Sequence, residues 1–241
     1  MPFTFSHPAI VLPLTKYSGR QFSLTGLIIG SMTPDFEYFF RMKIQSNYSH
    51  TIGGLFYFDL PVGILIAFVF HNIIRKPLYE NLPKTFRNRL ENFKNFKWTE
   101  YFRKHYLVVI ISTLLGATTH LFWDSFTHIY GYSVQIFLVL QDTFNLAGHE
   151  IPIYKLLQHL STLLGGLVII YTFFHLPTNS SNEKPINIKY WISFLVVTIF
   201  IIGLRLFFGI DKNFLGQLFG TSVNAVLIAL IFAPTLARQK I

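Results

Sequence analysis

The sequence contains no cysteine. Disulfides are excluded, and the redox state of the compartment leaves no mark on the chain. Charge is also scarce: Asp, Glu, Lys and Arg make up 13% of the 241 residues, against about 25% in ordinary soluble domains. No G-x-S-x-G, P-loop or dinucleotide-binding fingerprint occurs; "GLIIGSM" (26–32) has glycines without G-x-G spacing. There is no internal repeat, no low-complexity tract and no separable soluble domain. The start, "MPFTFSHPAIVLPL", lacks a basic n-region and an A-x-A-like site, so no cleaved signal peptide is expected.

What fills the chain instead is apolar. Hydrophobic residues reach 51%, and Phe alone takes 27 positions. A spanning helix needs roughly 20 mostly apolar residues, and five windows qualify: 55–74, 106–125, 156–176, 190–209 and 219–237. A sixth apolar region, 22–34, is short and runs into "TPD". The expected fold is all-α, a polytopic integral membrane helix bundle forming one membrane domain over residues 1–241. It has about five full spans and a short N-terminal segment that either re-enters or spans.

The net charge of +9 is not a nucleic-acid signature. Nine of the 20 Lys and Arg lie in 75–105, opposed only by Glu80, Glu91 and Glu100. Basic loops of this length stay cytoplasmic; the Phe and Trp in "FRNRLENFKNFKW" would also suit an interfacial helix on anionic lipid. With 75–105 inside, the spans alternate so that Lys184, Lys189, Arg238 and Lys240 also fall inside. The inner segments then hold 13 basic residues and the outer ones four, Arg41, Lys43, Lys155 and Lys212. The expected location is a bacterial inner (plasma) membrane with the C-terminus cytoplasmic.

That orientation sorts the histidines, although no histidine was used to reach it. His71, His105 and His175 fall at inner helix ends. His50, His120 and His159, with Asp124 and His128, reach the outer face. Ionisable residues at membrane depth are costly and mark function by default. In "HLFWDSFTH" (120–128), His120, Asp124 and His128 follow at i, i+4 and i+8, drifting about 40° per step and so sharing one helical stripe. Neutral imidazole and carboxylate suit zinc and related divalent metals. A polar helix end, with His and Asp capping one another, is the alternative. Asp35 follows Pro34, which favours a chain break; His50 precedes "TIGG", and His7 precedes Pro8. Asp59 is expected either beside His50 or paired with Arg205. "LLGG" and "IGG" read as small-residue helix contacts.

Taken together, His7, Asp35, His50 and His120-x-x-x-Asp124 resemble the ligand order of the zinc-dependent phospholipase C and nuclease superfamily. "GSMTPD…SHT" is similar to the YdjM-like membrane-bound metal-dependent hydrolases. "PFTFSHPA", "GSMTPDFEYF", "THLFWDSFTH" and "LLQHLSTLLG" resemble, over nearly the whole chain, a bacterial family of uncharacterised integral membrane proteins with a domain of unknown function. The superfamily pattern implies one metal held by Asp35, His50, His120 and Asp124. It implies a second near His7, bridged by Asp124, and a further site at His128 and His159. The chain departs from that pattern after its later histidines: Leu163 stands four residues after His159, and Ile153 four after His149. One or two divalent ions, zinc in kind, are therefore expected rather than three. The implied function is a membrane-embedded metal-dependent hydrolase whose partner is membrane lipid, acting on lipid or isoprenoid phosphoesters at the outer face. Residues 126–155 would cover the site. The alternative is a non-enzymatic protein, a metal- or proton-coupled transporter or an assembly factor. Transporters spread ionisable groups through the bilayer depth, whereas here they gather at one end.

The N-terminus allows two arrangements. If His7 and Asp35 share a face, residues 8–34 must enter and return, too few for two full spans. They would form a re-entrant pair buried against protein, with Lys16 and Arg20 near its tip. Otherwise 22–40 spans fully, and His7 is no ligand.

Overall fold

The computed structural model describes residues 3–17, 21–146, 148–180, 185–209 and 214–237. Expectations placed on Arg20, Lys184, Lys212, Arg238 and Lys240 lie outside the described residues. The chain is almost wholly helical: α1 (Pro8–Val11), α2 (Leu24–Gly30), α3 (Phe36–Arg41), α4 (Ile52–Asn81), α5 (Lys84–Lys94), α6 (Trp98–Asp124), α7 (Tyr132–Ile136), α8 (Ile153–Phe174), α9 (Ile188–Phe207) and α10 (Phe214–Leu236). The five long helices α4, α6, α8, α9 and α10 have the length and apolar character to cross a bilayer. Together they make the chain an integral membrane protein. An antiparallel hairpin, β1 (Thr143–Leu146) with β2 (His149–Pro152), is the sole sheet among the described residues. The segment read as a basic loop, 75–105, is mostly helix: α4 runs into it, α5 fills its middle and α6 begins within it.

Two compact units make up the fold, with chain boundaries at Pro34, Asn47, Ile64, Lys104 and His175. One boundary coincides with a kink in α6, where His105 leaves helical geometry at φ −132°. Two π turns interrupt α4, over Leu55–Asp59 and Phe70–Ile74. Pro61 and Pro77 follow them, each removing an N–H from the helical ladder.

In the first unit (1–34, 48–64 and 105–175) the N-terminal segment is packed on α6 and α8. Ser23 caps α2 by accepting from the Gly26 amide, and its own amide donates to Ser112 Oγ at 2.8 Å. A Cβ on Gly26 would stand 2.9 Å from Ser112 Cβ, one on Gly30 2.2 Å from the Thr113 carbonyl oxygen, and one on Gly116 2.5 Å from that of Leu27. Glycine is thus required for backbones to approach this closely. Contacts advance together along both helices, so α2 runs in the same direction as α6. Ser112 lies 12 residues before Asp124, about 18 Å along the helix at 1.5 Å per residue. His7 stands beside Asp124 at 3.5 Å. Ser23 therefore lies far along α6 from His7, and α2 climbs back towards Asp124, the path expected of a re-entrant segment. A continuous span over 22–40 does not form, because helix α2 ends at Gly30 and "SMTPD" breaks the path. The burial that a re-entrant backbone needs is present, with Gly26, Leu27, Ile29 and Gly30 all buried. Lys16 ends up at the edge of the described descent, 5.4 Å over the Tyr17 ring. The start of the chain is fastened to α8: the Phe3 amide donates to Thr162 Oγ1 (3.0 Å) and Ser6 Oγ donates to the Thr162 carbonyl (2.9 Å).

The second unit (35–47, 65–104 and 176–241) is built on the α9–α10 pair, with Tyr190, Ala233 and Ala237 at its core against Trp191 and Phe194. The buried Glu37 of α3 accepts from Arg41 Nε (2.8 Å), Ser46 Oγ (3.0 Å) and the Asn47 amide (2.9 Å), which ties down the loop after the left-handed Met42. Arg205 donates to Gln217 Oε1 and to the Gly209 carbonyl, both at 2.9 Å. Asp59 is buried in the π turn of the first unit. His71 stacks on Trp98 (4.7 Å between ring centres) and meets Arg75 Nη1 at 2.8 Å.

Candidate metal centre

Asp124 is the last residue of α6, and the turn that follows is compact. The Asp124 carbonyl accepts the Thr127 amide (3.0 Å) and His128 Nδ1 (3.0 Å). Gly131 fits where a Cβ would be 2.3 Å from the Ser125 carbonyl oxygen. The side chain of Asp124 thus has a fixed origin, and four imidazoles surround it. Oδ1 faces His7 Nε2 at 3.5 Å; Oδ2 faces His120 Nε2 at 3.4 Å, His50 Nε2 at 3.6 Å and His128 Nδ1 at 3.7 Å.

These separations exceed the 2.7–3.2 Å of ordinary N–H···O hydrogen bonds. They lie near the edge of a zinc tetrahedron, which for bonds of about 2.0–2.1 Å is about 3.3 Å. One atom each from Asp35, His50, His120 and Asp124 all fall within 4.8 Å of one another. Asp35 joins this group through the chain itself, being bonded to Pro34, and it is fully buried. Two carboxylates and two imidazoles suit a divalent ion, their charges offsetting it at low dielectric.

Tautomers sharpen the fit. His120 Nδ1 lies 2.7 Å from the Ser31 carbonyl oxygen. A carbonyl only accepts, so Nδ1 carries the proton and Nε2 of the neutral ring turns its lone pair toward the Asp124 carboxylate. Two acceptors facing each other call for a cation, either a proton on the ring or a metal between them. The His7 ring stacks on His120 with centres 3.7 Å apart and planes 17° from parallel; charging both rings would set like charges face to face. A metal satisfies the lone pair without that repulsion, while the Ser31 carbonyl holds the ring as partner carbonyls do around metal-bound histidine.

His50 sits at the mouth of α4, with Ser49 Oγ 3.0 Å from its Nδ1. Thr51 caps that helix by accepting the Gly54 amide (2.8 Å), and a Cβ on Gly54 would be 2.0 Å from the Tyr48 carbonyl oxygen. The loop is therefore tightly seated. His7 and His120 are closed off, at 1% and 0% side-chain exposure, whereas His50 and His128 are partly open at 21% and 34%. Access to the group comes from the His50–His128 side. Burial holds the His128 imidazole below its ordinary value, against the pull of Asp124, so its ring is neutral at neutral pH. Its Nδ1–H is committed to the Asp124 carbonyl, which makes it a helix-end cap first. His7 completes the group on the Oδ1 side, placing Asp124 between two sets of imidazoles. His159 is not brought in: it is exposed on α8.

The family model for a domain of unknown function, DUF4184, matches residues 1–235. The chain belongs to the DUF4184 family. No curated protein and no solved structure matches it. Within this DUF4184 chain the ligand set lies in the first half or so of the matched length, from His7 to Asp124 and His128. Two supporting groups carry no sequence signal of their own: the Ser31 carbonyl is backbone, and the Ser49 hydroxyl is one of many serines.

Proposed function

We propose that this protein is a membrane-embedded, metal-dependent hydrolase of phosphoesters, with its centre at the outer face. The observation that carries the reading is Asp124, whose two carboxylate oxygens stand 3.4–3.7 Å from four imidazole nitrogens at a helix end. Asp35, His50, His120 and Asp124 would hold one divalent ion; His7, across Oδ1, would serve a second. When bound, such an ion supplies a water of lowered pKa and polarises a phosphoryl oxygen. In the hydrolysis the water oxygen adds to phosphorus, the ester P–O bond breaks, and the proton from water ends on the leaving alcohol. The chain's part is to orient. Ser31 fixes the His120 tautomer, His7 closes one side by stacking, and the open His50–His128 side admits substrate.

The reaction class is taken by analogy, from the resemblance of the motif order to the zinc-dependent phospholipase C superfamily and of "GSMTPD…SHT" to YdjM-like hydrolases. Zinc fits the donor set, and the basic 75–105 segment supports the outward orientation. The gathering of ionisable groups at one helix end favours catalysis over transport. Elemental analysis of the detergent-purified protein, followed by phosphomonoesterase and phosphodiesterase assays with and without chelator, tests the proposal. Bound metal and chelator-sensitive activity support it; a well-folded protein that takes up no metal under replete conditions sinks it.

A further inference from the structure

Beside the metal centre, on the far side of His7, lies a groove of about 410 Å³. Its walls are α1, the end of α6 at Trp123, and one stripe of α8. On α8 the lining falls at 157, 160, 161, 164, 165 and 168, the i, i+3, i+4, i+7 spacing of one helical face. That stripe extends about 16 Å along the helix, and nearly all of it is apolar. Gly165 makes the shape possible: a Cβ there would stand 2.8 Å from the Ser6 carbonyl oxygen, so only glycine lets the N-terminal segment lie this close and form the opposite wall.

We infer that this groove holds one hydrocarbon chain of a membrane lipid whose polar head lies toward the metal centre. Four observations identify the occupant. The groove runs along a membrane-spanning helix, from Leu157, one turn into α8, to Val168, so its axis follows the span as a lipid chain does. Leu160 and Leu164 remain 43% and 58% exposed, leaving it open sideways to the bilayer, where a soluble partner cannot reach. Trp123, next to the end of the spanning helix α6, lines the groove, and Trp is a residue type that settles at the headgroup level. His7 is the shared wall: its ring lines the groove while its Nε2 faces Asp124. Selection would come from shape rather than from the hydrophobic effect, since a chain passing from bilayer to groove leaves one apolar medium for another. The placement of the head group rests on the hydrolase reading above; the chain-binding groove does not.

The test uses full-length protein in phosphatidylcholine nanodiscs doped with a phosphatidic acid carrying a diazirine within one acyl chain. After photolysis, adducts are mapped by peptide mass spectrometry, and metal content is measured on the same sample. Adducts should concentrate on 157–168 and on 6–10. Leu164→Trp fills the groove from an exposed position and should lower those adducts by about tenfold, the scale on which a hydrophobic pocket discriminates shape, with elution and metal content unchanged. Leu163→Trp, on another face of α8, should leave them as they are. Focused adducts in a sample without metal would support the groove and sink the hydrolase reading. Adducts spread evenly over the lipid-facing residues of α8 and α9, or focused adducts indifferent to Leu164→Trp, would overturn the groove even if metal is bound.

Discussion

Asp124→Asn keeps the size and shape of the side chain and removes its charge. In the wild type, a ligand present at 100 times its Kd stabilises the folded state by about 2.7 kcal/mol. Replacing the carboxylate that all four imidazoles face removes a ligand outright. Loss of a mere supporting partner costs 10–100-fold in metal affinity, so about 100-fold is a conservative figure here. The same zinc concentration then equals the variant's Kd, and the stabilisation falls to about 0.4 kcal/mol. For chains of this size each kcal/mol moves the thermal midpoint by about 2–4 °C. Zinc should therefore raise the wild-type midpoint by about 5–11 °C and that of Asp124→Asn by about 1 °C. The assay is a thermal melt in detergent, zinc against chelator, with metal content measured in parallel and folding checked by monodisperse elution. His159→Ala is the control and should respond as wild type, because His159 is exposed on α8. A monodisperse Asp124→Asn that keeps the full zinc-dependent shift would refute the metal centre and leave a polar helix end.

Other outcomes follow from the same geometry. Gly30→Val would drive a side chain into the Thr113 carbonyl, 2.2 Å from the ideal Cβ position; it should destabilise by about 3 kcal/mol or more, read as a lowered thermal midpoint or loss of the monodisperse peak. Gly203→Ala, where nothing lies within 4 Å, should instead be neutral or stabilising by up to about 1 kcal/mol in the same assay. Because the chain has no cysteine of its own, Phe3→Cys is a unique thiol: an impermeant maleimide should label it from the outer face, and labelling from the cytoplasmic side alone would exclude the re-entrant path. A C-terminal fluorescent reporter that folds only in the cytoplasm should glow, while an active C-terminal periplasmic phosphatase would reverse the orientation of the site.

Much of this was legible because hydrophobicity and helical period are local. The apolar windows mark all five long helices, each of which starts earlier than its window, most of all at Trp98 before the window 106–125. His120 and Asp124 could be paired from i, i+4 spacing alone, and Pro34 marked the break beside Asp35. His159 fails for the same reason that the others succeed. It stands two residues from Leu157, about 200° around the helix at 100° per residue, and so lies opposite the stripe that faces the N-terminal segment. The β1–β2 hairpin escaped because its strands are only four residues long and bury nothing deeply. Its turn is held by Asn145 Oδ1 accepting the Gly148 amide, with Gly148 at φ +86°, a signal of two residues in a long polar stretch. The choice between re-entry and spanning needed the α2–α6 contacts, which no local pattern encodes.

The seat of α2 on α6 has a consequence for biosynthesis. Residues 23–31 leave the ribosome long before 109–120, the surface that receives them. At about 5–20 residues per second, the 93 residues from Ser31 to Asp124 take roughly 5–20 s to make. Throughout that interval a glycine-rich stub too short to cross the membrane has neither the Ser112 hydroxyl for its first amide nor the helix its glycines fit. It must wait in the insertion machinery or at the lipid boundary, with backbone groups kept wet or lent a temporary partner. The N-terminal segment is thus first to be translated but late to dock, and His7 reaches Asp124 only after half of the chain has been made.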